Sequence, residues 1–392
     1  MKRKNLVKAT LLFTSSLTVM AGAAIAPALP EITKAFASHP QATLLTKLIL
    51  TMPALFIFLG APLTGFVTDK LGRKPLLILS LVVYGLAGCS GLYLDGLVPV
   101  LVGRALLGLA VSGIMTVSTT LIGDYFFGQE RTKFLGLQAA SMAIGGMVYL
   151  SISGLLADVS WRVPFAIYLT SFLFLPFVWF FISEPSREKT AGATSEVKIQ
   201  PLPRNTVWLI YATVLVNMVI FYLVPVQLPF YLKQLLGDTS NAMAGYAIST
   251  STLFGAIASF SYQKIRARFS YHVIYALVFL FMGSGFLIIY GANQYAIVLA
   301  GLAIGGIGMG MLIPNSNLWI MSVTPEQYRG RVMSGLTGAV FLGQFLSPIL
   351  AQPLISHYSY AIAFGVFGAL MLVIALGFAL TQGKVAAHAT AS

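Results

Sequence analysis

Residues 65–74 read GFVTDKLGRK, a short charged segment between two long apolar runs. The runs on either side, near residues 44–67 and 76–94, contain about the 20 mostly apolar residues that a helix needs to cross a bilayer. A charged turn of this length brings both helix ends to the same face of a membrane. The segment therefore predicts two antiparallel membrane helices joined by a tight loop.

The composition extends this prediction to the whole chain. Hydrophobic residues make up 57% of it and charged residues 9%, and its mean hydropathy is +0.86. A soluble domain carries about a quarter charged residues. In lipid, helices are favoured because each one satisfies its own backbone hydrogen bonds. We therefore expect an all-α integral membrane protein.

Counting apolar runs predicts twelve spans. Lys2 and Arg3 before the first run, with Ala21 and Ala23 inside it, resemble a signal peptide. That run reaches Pro30, long enough to span, so we interpret it as a retained first helix. The predicted spans lie near residues 7–30, 44–67, 76–94, 98–122, 134–157, 163–183, 206–232, 241–262, 271–291, 295–321, 332–355 and 361–382.

The basic residues predict the orientation. If the N-terminus is cytoplasmic, nineteen of the 24 Lys and Arg residues fall on the cytoplasmic side. The four on the outside are Lys34, Lys47, Arg162 and Lys233. Cytoplasmic loops of membrane proteins carry such an excess of positive charge. The pattern predicts a multi-pass protein of the bacterial cytoplasmic (inner) membrane with both termini cytoplasmic.

The chain also divides into two halves. Residues 184–205 form the longest polar stretch, so they predict a cytoplasmic linker between six-span halves at 1–183 and 206–392. Arg131 after span 4 and Arg329 after span 10 are 198 residues apart, which indicates an internal repeat. Two such halves are typical of secondary transporters, whose substrate site lies between them near mid-depth.

The opening segment matches a known signature. The pattern G-x-x-x-D-[RK]-x-G-[RK]-[RK] belongs to the loop after the second helix of the major facilitator superfamily, and this chain resembles that family through the loop, the span count and the repeat. The resemblance implies twelve transmembrane helices in two six-helix bundles. Its matching positions are Gly65, Asp69, Lys70, Gly72, Arg73 and Lys74.

The resemblance also implies a conformational latch. In the family, the equivalent of Asp69 lies near the N-terminus of helix eleven, where the helix dipole favours an anion. The equivalent of Arg73 pairs with an acid at the cytoplasmic end of helix four, here Asp124. Together they would hold the outward-open state. The alternative is that the basic residues of this loop only enforce the topology.

Two residues are candidates for proton or substrate coupling. Arg104 is expected to be the only charge within the apolar part of a span, and its spacing to Gly108 resembles the fourth-helix motif of proton-coupled members. The alternative is an arginine that reaches the membrane surface. Glu31 is the best carboxylate, although it could be a plain loop acid. Tyr149-Leu150 stands where drug antiporters have Gly-Pro, which weakens an inference of drug export.

Polar and aromatic residues near mid-depth predict a mostly apolar, neutral cavity. For each of them, a hydrogen bond between neighbouring helices is an equally good explanation. Only Arg104 would offer a cation to an anionic substrate. The candidates are Gln138, Met142, Tyr149, Asn217, Tyr222, Gln227, Asn315, Asn317, Phe341 and Gln344.

The predicted function is secondary active transport of a small organic molecule by alternating access, as proton-coupled efflux of a drug-like or amphipathic compound. The alternatives are uptake, uniport or exchange of a metabolite or siderophore, and a non-transporting receptor or scaffold. The predicted partners are a small-molecule substrate, protons and membrane lipid. The protein is predicted to be a monomer that binds no nucleic acid. The single cysteine, Cys89, forms no metal cluster, and no phosphate-binding loop or nucleophile–base pair indicates an enzyme or a cofactor.

Overall fold

A computed structural model describes residues 2–185, 201–237 and 239–390, and within those ranges the regular structure is entirely helical. These residues contain twelve helical stretches long and apolar enough to cross a membrane. Spans 1 to 6 are Asn5–Ala35, Ala42–Thr68, Arg73–Tyr93, Leu97–Tyr125, Gly128–Val159 and Val163–Phe181. Spans 7 to 12 are Arg204–Leu236, Asn241–Arg266, Tyr271–Tyr290, Tyr295–Val323, Glu326–His357 and Tyr360–Thr381. The prediction of a twelve-span, all-α membrane protein is confirmed.

Spans 1 and 7 are each broken into two helices. In span 1, helix Lys2–Ala23 gives way to a 3-10 turn at Ala26–Ala28 before helix Leu29–Ala35 begins. Pro27 within this turn has no backbone N–H, so it cannot continue an α-helical ladder. Span 7 divides at Tyr222 into Arg204–Phe221 and Leu223–Leu236. Both breaks lie near the middle of the molecule, where the halves meet.

Two bundles account for most of the packing. In the first, span 4 packs on spans 2 and 3, and span 1 packs on span 5. In the second, span 9 packs on spans 10 and 12, span 8 on span 10, and span 7 on span 11. The bundles meet where span 5 contacts span 8 and span 2 contacts span 11. The boundary predicted at 184–205 stays a prediction, because residues 186–200 of the linker lie outside the described part of the chain.

Glycine allows the close approach of spans 5 and 8. A Cβ on Gly154 would lie 2.8 Å from Cα of Ala242, and one on Gly245 would lie 2.6 Å from the carbonyl oxygen of Leu150. Contacts this short exclude any side chain, so the two helices pack backbone to backbone, as small residues permit in membrane bundles.

The residues named above define two faces of the protein. The motif face carries residues 65–74, between spans 2 and 3. The opposite face carries the ends of spans 1, 5 and 7 and the starts of spans 2 and 8. Between the faces, large apolar side chains remain exposed on the outside of the bundles, including Leu173 (67%), Ile257 (53%) and Val373 (67%). Such a surface is suited to lipid.

Candidate functional site

A cavity of about 280 Å³ lies between the two bundles. Spans 1, 2, 4 and 5 line it on one side, and spans 7, 8 and 11 on the other. The lining is mostly apolar, with polar groups from a few residues. Those polar residues are Thr18, Tyr222, Thr252 and Gln344.

Four of the predicted cavity residues line this space. They are Met142 on span 5, Tyr222 at the break in span 7, and Phe341 and Gln344 on span 11. Tyr222 also contacts the broken part of span 1, since a Cβ on Gly22 would lie 2.7 Å from its hydroxyl oxygen. The cavity therefore lies directly beside both helix breaks.

Three other candidates make hydrogen bonds within one bundle. The Gln138 amide donates to the Ser15 hydroxyl at 2.8 Å, between spans 5 and 1. Asn217 donates to the sulfur of Met282 at 3.3 Å. Asn315 accepts from the Tyr262 hydroxyl at 2.9 Å. These side chains join neighbouring helices, and their role in substrate binding stays a prediction.

The remaining three candidates lie elsewhere. Tyr149 lines a separate groove between spans 1 and 5, together with Phe13 and Ser16. Asn317 is half-buried and is not part of the cavity lining. Gln227 is 1% exposed, and neither its amide nitrogen nor its amide oxygen has a hydrogen-bond partner in the described structure.

Arg104 lies on span 4, inside the first bundle. It is fully buried. Its Nε donates to the backbone carbonyl of Ile49 at 2.9 Å, and its Nη2 donates to the carbonyl of Ala21 beside the break in span 1. Its guanidinium lies 5.0 Å from the centre of the Tyr168 ring. Arg104 therefore ties spans 1, 2 and 4 together, and its predicted coupling role stays a prediction.

The signature segment at the motif face is held by Glu184. Gly72 ends the helix of span 2 with φ of +93°, a conformation that favours glycine. Span 3 then begins with the backbone N–H groups of Arg73 and Lys74, which donate at 2.7 Å to the two carboxylate oxygens of Glu184. A carboxylate suits the positive end of a helix. Sequence reasoning placed Glu184 only in the linker.

The ion pair implied by the family resemblance is present in the described structure. Arg73 Nε lies 2.8 Å from Asp124 Oδ2, and each side chain is 26% exposed. Lys74 Nζ donates to the carbonyl of Trp179 at 2.7 Å, and Lys70 lies over the Phe66 ring at 4.3 Å. A Cβ on Gly65 would meet nothing within 4 Å. The side chain of Asp69 lies outside the described residues, so its expected place near span 11 stays a prediction.

Ionic and helix-capping contacts join the bundles at the opposite face. Glu31 Oε1 lies 2.6 Å from Lys233 Nζ on span 7. Glu31 belongs to helix Leu29–Ala35 of span 1 rather than to a loop beyond it. Asp158, at the end of span 5, accepts from the backbone N–H of Asn241 at 2.6 Å and from the Ser240 side chain at 2.5 Å, at the start of span 8. A carboxylate of one bundle thus caps a helix of the other.

Lys47 corrects the expectation that Arg104 is the only charge inside a span. Lys47 lies on span 2 and is fully buried. Its Nζ donates to the Gln352 amide oxygen of span 11 at 2.7 Å. It also lies 5.1 Å from the Phe230 ring centre and 5.3 Å from that of Tyr360. A charged residue within an apolar run is itself a signal of function, and it could have identified Lys47 from the sequence.

The sequence of this chain matches a family model described as Major Facilitator Superfamily over residues 11–240 and 238–390. Similar curated proteins include the bacillibactin exporter of Bacillus subtilis (strain 168), 25% identical, with 81% of this chain and 82% of that protein aligned. The multidrug resistance protein MdtG of Proteus mirabilis (strain HI4320) is 24% identical, with 83% of each chain aligned.

The fold also has solved counterparts. A crystal structure of a D-xylose–proton symporter superposes with a TM-score of 0.77 and 18% sequence identity, covering 95% of this chain and 96% of that one. At this identity the match concerns the fold alone.

Proposed function

The chain belongs to the Major Facilitator Superfamily, as a multi-pass membrane transporter rather than an enzyme, and we propose that it exports a neutral or amphipathic organic molecule by proton-coupled alternating access. The observation that carries this proposal is the lining of the central cavity. Apolar side chains from both bundles surround a few hydrogen-bonding groups, with neither a carboxylate nor an ammonium among them. Such a lining suits an uncharged compound with an apolar body.

Two further observations support the proposed direction of transport and the proposed orientation in the membrane. The basic residues collect on the motif face, so this face is cytoplasmic in our proposal and both termini are on that side. The alignments with a bacillibactin exporter and a multidrug resistance protein, each over about four fifths of the chain, favour export. In this orientation, the contacts of Glu31, Lys47 and Asp158 close the external face.

The motif segment serves as the latch of the cytoplasmic face in this proposal. Arg73 and Asp124 hold the ends of spans 3 and 4 together. Glu184 anchors the exit of span 6 to the start of span 3. These contacts make the cytoplasmic ends of spans 3, 4 and 6 one rigid unit, which would present Asp69 to span 11 when that face closes.

Uptake, uniport or exchange is the second candidate. Tyr149-Leu150 in span 5, where drug antiporters have Gly-Pro, favours it. In the structure, Tyr149 lies in the groove between spans 1 and 5 rather than in the cavity. A receptor or scaffold would move no solute at all, which separates it from both transport candidates.

The test is flux through purified protein in proteoliposomes. Radiolabelled chloramphenicol is the first neutral probe, with D-xylose and the cation ethidium as comparisons, and an internal pH-sensitive dye reports protons. We expect chloramphenicol and protons to move in opposite directions. Phe341→Ala and Gln344→Ala should each lower chloramphenicol flux about tenfold. Phe260→Ala, at a phenylalanine that is 72% exposed on span 8, should leave it unchanged.

Other outcomes would overturn the proposal. Flux without proton movement would contradict antiport, and movement of both in the same direction would indicate symport. If D-xylose is moved and chloramphenicol is not, the neutral-drug assignment is wrong. If none of the three probes moves while the protein remains folded, export of such compounds is contradicted.

A further inference from the structure

We propose that Lys47 is the residue that carries the coupled proton. This inference rests on the proposed proton-coupled transport and names the group responsible for it. Lys47 lies at the external closure, and the three residues around its ammonium group, Phe230, Gln352 and Tyr360, all belong to the second bundle. Opening the external face separates the bundles, so the environment of Lys47 changes from dry protein to external water in each cycle.

The groups around the Nζ atom of Lys47 are uncharged. Its hydrogen-bond partner is a neutral amide, and two aromatic rings flank it. Among the described residues, no carboxylate lies within ion-pair distance of Lys47, so the closed state lacks the charge that would hold an ammonium permanently. Burial disfavours the charged form of an amine, while aromatic faces and an amide offset part of that cost. A group that binds and releases a proton in each cycle must not be held by a fixed counter-charge.

The charged and titratable groups on the neighbouring elements agree with this assignment. On span 7, Lys233 lies one turn beyond Phe230, and its charge is already paired with Glu31 of span 1. Span 12 contributes the neutral phenol of Tyr360. On span 11, His357 is more than one turn beyond Gln352 and is exposed. On span 4, which packs on span 2, Arg104 donates to the carbonyl of Ile49, two residues from Lys47. Each nearby cation repels an additional proton, and Glu31 of span 1 is engaged by Lys233 and Lys34.

Unpaired buried polar groups mark a route from Lys47 to the cavity. Thr51 lies one turn deeper on span 2 and is fully buried, with no partner for its hydroxyl. Ala54, two turns deeper than Lys47, lines the cavity at about 10 Å along the helix. Gln227, one turn from Phe230, has both amide atoms unpaired at 1% exposure. Buried polar groups that lack protein partners are paired by water.

The cycle follows from these contacts. In the outward-open state, external hydronium protonates the neutral amine of Lys47 and leaves water. Closure of the external face surrounds the ammonium with Phe230, Gln352 and Tyr360. Lys47 then gives its proton to water beside Thr51 and Gln227, and hydronium leaves through the cavity to the cytoplasm. The neutral amine remains, and substrate binding returns the carrier to the outward-open state.

The experiment separates coupling from transport competence. Proteoliposomes would be assayed for chloramphenicol-dependent proton movement under a pH gradient, and for chloramphenicol counterflow with equal pH on both sides. Counterflow requires binding and rocking of the loaded carrier but no net proton movement. We expect Lys47→Gln to retain counterflow within threefold and to lower proton movement at least tenfold. Lys264→Gln, at an exposed lysine of the motif face, should match the wild type in both assays.

A pH profile adds a readout that a purely structural lysine would not change. Protons compete with loaded carrier in our scheme, so wild-type counterflow should fall as the pH is lowered. Lys47→Gln should show a flat profile over the same range. Lys47→Arg keeps a permanent charge and should slow counterflow as well as proton movement.

The failures are distinguishable. If the wild-type protein moves chloramphenicol without protons, proton coupling and the role of Lys47 both fail. If the wild type is coupled and Lys47→Gln remains equally coupled, only the assignment of Lys47 is overturned. If Lys47→Gln loses both counterflow and proton movement while Lys264→Gln keeps both, Lys47 has a structural role. That result would also overturn its assignment as the proton carrier.

Discussion

Residues 65–73 at the motif face and residues 154–162 at the opposite face have the same spacing. Each begins with glycine, places aspartate four residues later and arginine four residues after that. They end spans 2 and 5, which occupy corresponding positions in the inverted three-helix repeats known within each half of this fold. Their arginines both pair within the first bundle but with aspartates of different exposure, since Asp124 beside Arg73 is 26% exposed and Asp95 beside Arg162 is 90% exposed. At the opposite face, Asp158 also reaches the other bundle.

The same pattern on surfaces of different exposure shows how one sequence motif can serve both faces. In the structure, the opposite face is joined by Asp158 at the N-terminus of span 8. We expect Asp69 to make the equivalent contact with the N-terminus of span 11 when the motif face closes. Each aspartate then stabilises one of the two states through the dipole of a helix in the other bundle.

The largest expected effect comes from a change that keeps the opposite face from closing. A side chain at Gly154 would overlap the backbone of Ala242. In the proposed proteoliposome assay, we expect Gly154→Leu to lower the initial rate of chloramphenicol flux at least tenfold. Gly136→Leu is the matched control on the same span, since a Cβ there meets nothing within 4 Å. Equal loss of activity in both variants would contradict the importance of the contact between spans 5 and 8.

An intermediate effect should come from the two aspartates, and in opposite directions. Asp158→Asn removes a charge at the N-terminus of span 8, and Asp69→Asn removes the charge that we expect to serve span 11 in the same way. Such a charge is worth about 1 kcal/mol or less at an exposed helix end. The measurement is the distance between two spin labels attached at Ala37 and Asn293 on the opposite face, by electron–electron distance spectroscopy in a Cys89→Ser background. We expect Asp158→Asn to increase the fraction of long distances up to about fivefold, and Asp69→Asn to decrease it. A shift in the same direction for both variants would show that the two aspartates do not stabilise opposite states.

The smallest expected effect concerns the two arginine pairs. Asp124 is 26% exposed and Asp95 is 90% exposed. Exposed ion pairs contribute little because solvent screens them. We therefore expect Asp124→Asn to lower the midpoint of thermal unfolding in detergent by roughly 2 °C, and Asp95→Asn to leave it unchanged within error. A larger decrease for Asp95→Asn would show that exposure does not govern these pairs.

Much of the fold could be predicted because it depends on local properties. Hydropathy and loop charge identified twelve spans, and the spacing in residues 65–74 identified the family. The pairing of Arg73 with Asp124 was implied by that resemblance. Fold and family therefore require only the lengths, charges and spacings that a sequence displays.

The candidate site was predicted only in part, because it depends on which side of each helix faces the partner bundle. Met142, Tyr222, Phe341 and Gln344 line the cavity, but other mid-depth polar residues such as Asn217 join helices within one bundle. Depth alone does not distinguish the two arrangements. The contacts of Glu184 depend on the turn at Gly72. Lys47 was visible as a charge within an apolar run, but its partner Gln352 lies far away in the chain.

The hydrogen bond between Lys47 and Gln352 joins residues 305 positions apart, which has a consequence for biogenesis. At about 5–20 residues per second, synthesis of the intervening chain takes roughly 15–60 s. During that interval span 2 enters the membrane with an amine whose final partners do not yet exist. Its position near the end of the span lets the side chain extend to the lipid–water boundary meanwhile. Lys47 becomes buried only when the second bundle has assembled against the first. Burial of this side chain therefore requires that the two bundles have joined.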